Sequence, residues 1–270
     1  MLGLQSVLST PWFPETDRRT AGWFLTGNLW PLLSLICLYI YGVKVAGPKI
    51  MQKRKPFDIR GPVLLYNFFM ILNCAYFLVE YIRLGYWHNG YNLLLQEVDL
   101  TSRWATNRIV TLSWFYYLLR IFEFTETIFF VLRKKFNQVS GLHVFHHCII
   151  AWNMWICVTY GAQAQTLFVT CMNTLVHLIM YSYYFLSALG PWAQRFLWWK
   201  RYLTQVQLVQ FIVLMVHNSL PLFFNGAFVR VFSVILVIEG LVFFIWFSVF
   251  YLDTYRRKKG VMLFECHKMD

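Results

Sequence analysis

The chain has 270 residues, of which 59% are hydrophobic, 20% aromatic and only 13% charged. So low a charged share, about half that of an average soluble domain, excludes a water-soluble fold. Lys and Arg total 24 against 12 Asp and Glu, but this basic excess is scattered between apolar runs and forms no continuous stripe, which points to membrane lipid headgroups and away from nucleic acid.

The leading segment, residues 1–26, lacks a basic n-region followed by an apolar h-region and a small-residue cleavage site. No cleavable signal peptide is expected there, and the first span is expected to target the chain. A hydrocarbon core about 30 Å thick takes about 20 mostly apolar residues per helix. Seven stretches qualify, 27–46, 62–82, 109–132, 143–161, 165–189, 203–224 and 231–252. The expected class is an all-α membrane protein, a bundle of seven transmembrane helices over 27–252. A lumenal segment, 1–26, precedes it and a cytosolic basic tail, 253–270, follows. The six cysteines, Cys37, Cys74, Cys148, Cys157, Cys171 and Cys266, show no paired spacing and read as buried small hydrophobes.

Most of the positive charge follows alternate spans: Lys44 to Arg60 after the first, Arg133 to Lys135 after the third, Arg195 to Arg201 after the fifth and Arg256 to Lys268 after the seventh. Because Lys and Arg are retained on the cytosolic side, this pattern predicts a lumenal N-terminus and a cytosolic C-terminus.

Polar groups at membrane depth are costly and need a reason to be there. The third span carries Arg120, Glu123, Glu126 and Thr127, the three ionisable groups at i, i+3 steps along one stripe of a helix. Arg120 with Glu123 reads as an ion pair, which leaves Glu126 to orient a histidine. No half-helix break is evident in any span. The fourth span opens with His143, His146 and His147, three imidazoles within one turn and largely on one face. The fifth adds Asn173, His177 and Tyr181 at i+4 steps with Tyr184 beyond, and the sixth adds Thr204, Gln207 and Gln210 at i+3 steps, a pattern that interhelical hydrogen bonding explains equally well. His217 and Glu239 have no such companions and are given no role, and His88 and His267 are expected to be solvated.

KRKPF from Lys53, RIFEFTET from Arg120, LHVFHH from Leu142, NTLVHLIMYSYY from Asn173 and TQVQLVQ from Thr204, in that order, resemble the fatty acid elongase family. Where that family has K-x-x-E-x-x-D-T, this chain has Arg120-x-x-Glu123-x-x-Glu126-Thr127. The resemblance implies a helix bundle around an acyl-chain tunnel in the endoplasmic reticulum membrane. It also implies condensation of acyl-CoA with malonyl-CoA to 3-oxoacyl-CoA, CoA and carbon dioxide. The ketoacyl-CoA reductase, dehydratase and enoyl-CoA reductase of the cycle would be its partners, and a homo-oligomer is open.

Neutral imidazole is a competent acyl acceptor near neutral pH, so His146 is expected to carry the acyl group, its tautomer set by Glu123 or Glu126. Asn173 and His177 would hold the malonyl thioester oxygen, with Gln207 and Gln210 on that oxygen or on the pantetheine amides. Arg120, Tyr181, Tyr184 and Thr204 are expected to bind substrate, and Lys134 and Lys135 to attract CoA phosphates. No metal or cofactor is expected. The family of membrane di-iron desaturases shares the HxxHH box but uses about eight histidine ligands, and only seven histidines exist here. A receptor or transporter would share the span count without requiring the histidine cluster.

Overall fold

Every regular element among the residues described by the computed structural model, 16–161, 163–224 and 230–257, is helical. The remainder of the leading segment and of the basic tail, with Cys266, His267 and the tail lysines, lies outside those residues. The first helix, α1 (Trp30–Gln52), starts late because a turn precedes it. Gly27 sits at φ +70°, where a Cβ would come within 2.7 Å of the Ala21 carbonyl oxygen, and Asn28 then accepts the Trp30 N–H at 3.0 Å. A π stretch, Gly42–Ala46, interrupts α1. Just beyond it, Gly47 lets the backbone approach Val131 so closely that a Cβ would lie 2.7 Å from its methyl group.

Helix α2 (Arg60–His88) is followed by a loop and then by α3 (Trp104–Phe122) and α4 (Phe124–Leu132). The expected third span is therefore broken at Glu123. Glu126 N–H donates to the Glu123 carbonyl at 3.0 Å, a tightened i to i+3 turn in place of the α-helical ladder. Neither Gly nor Pro marks the site. The chain continues through α5 (Gly141–Thr159), α6 (Gln163–Ala188), the single turn Pro191–Gln194, α7 (Lys200–Phe223) and α8 (Arg230–Tyr251).

Six helices, α1, α2 and α5 to α8, are each long and apolar enough to cross a membrane. Seven were expected by count, and the difference is the broken α3–α4 segment. α2 packs along α6, α3 along α5, and α7 along α8 and against α6. The polarity of the bundle is inverted relative to a soluble protein. Leu38, Leu65, Val79 and Val216 are exposed on the outside, whereas Arg120, Glu123, Thr127, His147 and His177 are buried inside. Hydrocarbon favours that distribution, since it leaves no water to solvate outward polar groups. Cys74, Cys157 and Cys171 are buried thiols as expected, but Cys148 is half-buried and Cys37 is exposed on the outer face of α1.

The loop between α2 and α3 is tied down at many points. Asp99 accepts from Thr101, Tyr91, Thr106 and Arg103, and Arg19 donates to the Asp99 carbonyl. Gln165 of α6 holds Gln96 and Leu94, and His217 of α7 contacts the Leu93 carbonyl at 2.9 Å. His88 is exposed, as expected, beside Arg83 and Trp104.

Candidate active site

The break at Glu123 brings the carboxylates and the basic side chains of neighbouring helices into one buried cluster. Arg120, in the last turn of α3, and Glu123 are each 1% exposed. Arg120 Nη1 donates to Glu123 Oε1 at 2.8 Å and lies 2.9 Å from His177 Nδ1. Its Nη2 donates to the Tyr116 hydroxyl, and the guanidinium stacks 4.2 Å from the Tyr116 ring centre. A guanidinium has no acceptor atom, so His177 Nδ1 must accept here and the ring proton falls on Nε2. The Arg120 pair thus fixes the tautomer of His177. Tyr116 passes the network on to Thr174 of α6 at 2.8 Å.

A second chain of contacts holds the first histidine of the box. Ser140 Oγ accepts the His143 N–H at 3.1 Å and caps α5, while Thr127 Oγ1 stands 2.8 Å from both His143 Nε2 and the Tyr39 hydroxyl. His147 Nε2 is 3.7 Å from Glu126 Oε2, too far for a hydrogen bond, and its Nδ1 is buried without a partner. One ligand atom each from Glu126, His143 and His147 fall within 4.8 Å of one another.

His146 is different. It makes no ion pair or hydrogen bond with Glu123 or Glu126, contrary to the expectation that one of them orients it: those carboxylates face His177, 3.6 Å from Glu123, and His147 instead. Its ring sits 6.0 Å from that of His177 and 5.4 Å from that of Phe243. It lines a cavity of about 130 Å³ between α5, α6, α7 and α8, together with Asn173 and Gln210. The predicted residues therefore divide into three groups. Arg120, Glu123, Glu126, His143, His147 and His177 form the buried network behind the cavity, and His146, Asn173 and Gln210 face it. Tyr181 and Tyr184 continue from His177 in edge-to-face contacts at 5.8 and 6.1 Å.

Three expectations place less well. Gln207 lies off the cavity wall, its Nε2 4.0 Å from Met180 Sδ, and Thr204 is buried but does not line the cavity. Lys134, at φ +55°, spends its ammonium on the Gln52 carbonyl at 3.3 Å, which ties the α4 end to α1, while Lys135 is exposed. Sequence reasoning missed Tyr39, Tyr116, Asn153 and Phe243. A lone tyrosine in an apolar span carries no signal, but Tyr116, one turn before Arg120, extends the same polar stripe and could have been found.

The protein-family model described as ELO: GNS1/SUR4 family matches residues 24–261. Very long chain fatty acid elongase 4 of Macaca mulatta is 41% identical over 243 residues, 90% of this chain and 77% of the relative. Very long chain fatty acid elongase 7 of Rattus norvegicus is 38% identical over 248 residues, covering 91% and 88%, and a very long chain fatty acid elongase of Aedes aegypti is 40% identical over 244 residues, covering 90% and 68%. With a family match across nearly the whole helical bundle and relatives of this identity, the chain belongs to the ELO family.

Proposed function

We propose that this protein is the condensing enzyme of fatty acid elongation, a very-long-chain 3-oxoacyl-CoA synthase of the endoplasmic reticulum membrane. The observation that carries the reading is the placement of His146. Of the three histidines of the box it alone borders this cavity, and the cavity is otherwise largely apolar, as an acyl chain requires.

His146 attacks the acyl-CoA thioester carbonyl through a neutral ring nitrogen. The CoA thiolate leaves with the ring proton, and an acyl-imidazole remains. Malonyl-CoA then loses carbon dioxide to give an enolate, whose oxygen Asn173, Gln210 and the Nε2–H of His177 stabilise in a water-poor site. The enolate carbon attacks the acyl carbon, the imidazole departs and regains from solvent the proton that left with CoA, and 3-oxoacyl-CoA is released. No cofactor enters this balance. Arg120 and Glu123 act behind His177 by fixing its tautomer, much as a carboxylate does in a hydrolytic triad. The product passes to a ketoacyl-CoA reductase, a dehydratase and an enoyl-CoA reductase in turn. Counting α3 with α4 as one crossing gives seven spans around the acyl tunnel, a lumenal N-terminus and a cytosolic C-terminus.

The cluster of Glu126, His143 and His147 favours one second reading, a metal-assisted oxidation of acyl chains. Against it, two histidines and one carboxylate would hold a single iron and not the pair of a membrane desaturase, and the Thr127 hydroxyl already engages His143 Nε2. Purified protein given malonyl-CoA labelled in the retained carbon and acyl-CoAs of graded length is expected to form labelled 3-oxoacyl-CoA after chelation of free metal. Failure to incorporate malonyl carbon, or activity that tracks a bound metal through removal and reconstitution, would overturn the proposal.

A further inference from the structure

The cavity that His146 borders is not apolar throughout. From α5, Asn153 Nδ2 donates to Glu239 Oε2 of α8 at 2.6 Å, and both side chains line the cavity. Glu239 has no cation within ion-pair distance among the described residues. Asn153 lies seven residues beyond His146, two turns along the same helix face and about 10 Å deeper. From α7, Asn218 borders the same space. It is 3% exposed, and its Oδ1 accepts no hydrogen bond of normal geometry, nor does the neighbouring His217 Nδ1 make one.

A saturated chain threaded past these groups would leave the Asn218 oxygen without a donor and Glu239 with Asn153 as its donor, and a buried acceptor left unsatisfied is costly. A tunnel meant only for hydrocarbon gains nothing from a carboxyl and an open amide oxygen in its wall. Both are acceptors with unused capacity, so the chemistry that satisfies them is an O–H donor. We propose that the deep half of the cavity is a subsite for hydroxylated acyl chains. The hydroxyl, carried in the middle or distal part of the chain, donates to Asn218 Oδ1 or Glu239, and Asn153 holds the Glu239 carboxyl in place.

This inference rests on the reading of the cavity as the acyl site of a condensing enzyme, and its test separates the two. Purified protein is assayed with malonyl-CoA and a series of monohydroxylated acyl-CoAs of one chain length, the hydroxyl moved along the chain, against the unsubstituted chain. A purely apolar wall rejects a misplaced hydroxyl by about tenfold to a hundredfold in kcat/KM. The expected profile shows that penalty for hydroxyls near the thioester and its disappearance, to within about threefold of the unsubstituted chain, at mid-chain or beyond. In Asn218→Leu and Glu239→Met the ratio of hydroxylated to unsubstituted turnover at that position should fall about tenfold. A penalty that persists at every position in the wild-type protein overturns the subsite and means that water fills it. A ratio untouched by both substitutions overturns it as well. Loss of condensation with every acyl-CoA, unsubstituted included, would instead count against the condensing activity itself.

Discussion

His146 and Cys148 stand two residues apart on α5, and either could in principle take an acyl group. A thiolate is intrinsically the better nucleophile, but Cys148 does not line the cavity, since a step of two residues turns it away from the face that His146 presents there. Cys148→Ala should therefore keep most condensing activity while His146→Ala loses nearly all, and mass spectrometry after acyl-CoA alone should find the adduct on His146. An adduct on Cys148, or full turnover by His146→Ala, would defeat the assignment. The Arg120–Glu123 pair makes a different prediction, because it is buried at 2.8 Å in the bundle interior. Glu123→Gln leaves the guanidinium uncompensated, and breaking a buried pair on one side costs about 3 to 5 kcal/mol. Thermal unfolding in detergent should register that loss. Arg120→Met with Glu123→Leu together should recover stability but not activity, because the tautomer of His177 is then unset. Recovery of both would reduce the pair to packing. At this scale the sequence was informative wherever polar residues recurred at helical steps, as with Arg120, Glu123 and the histidine box. It was silent on Glu239, because its partner Asn153 lies on another span, 86 positions away in the chain.

The elements were legible through apolar length, and six of the seven predicted spans correspond to helices long enough to cross a membrane. The break between α3 and α4 was not, since no residue type at Phe122 to Phe124 disfavours a helix. It arises where a buried carboxylate must meet both Arg120 and His177, a tertiary demand that local propensity does not contain. The loop between α2 and α3 was equally unreadable, because its order comes from hydrogen bonds to distant partners such as Arg19 and Gln165. Asp99 is its anchor. Burial opposes ionisation there, yet the hydroxyl and N–H of Thr101 and the hydroxyls of Tyr91 and Thr106 outweigh it and hold the carboxyl well below the usual carboxylate range. A carboxyl depressed on folding stabilises the fold above its unfolded pKa of about 4, and that contribution fades as pH falls through the lower folded value. Limited proteolysis of this loop should stay slow from neutral pH to about pH 4 and rise only in stronger acid, while Asp99→Asn should show the fast rate at neutral pH. A wild-type rate that already climbs between pH 7 and 5 would contradict this.

For the whole molecule, the ends of the helices sort into two sets. At one end Phe57 N–H bonds the Leu132 carbonyl, Lys134 reaches Gln52, Lys44 reaches Val139, and Arg60 caps the last carbonyls of α6. At the other, Asp17 N–H bonds the Thr159 carbonyl, Arg19 reaches Asp99 and Thr101, and His217 reaches Leu93. The α3–α4 segment begins in the second set and finishes in the first, so despite its break it traverses the bundle once. On the proposed count of seven crossings, an odd number, the two termini would lie on opposite faces. The first set also holds the basic runs 53–60, 133–135 and 195–201, and the proposed inward orientation of that face rests on retention of Lys and Arg in the cytosol. Protease added to sealed microsomes should remove a tag fused at the C-terminus and spare one at the N-terminus until detergent is added. Protection of both tags, or digestion of both, would mean an even number of crossings and would require the α3–α4 segment to re-enter the face it left. Digestion of the N-terminal tag alone would keep seven crossings and reverse the orientation, which would carry the histidine end of the bundle away from cytosolic CoA thioesters.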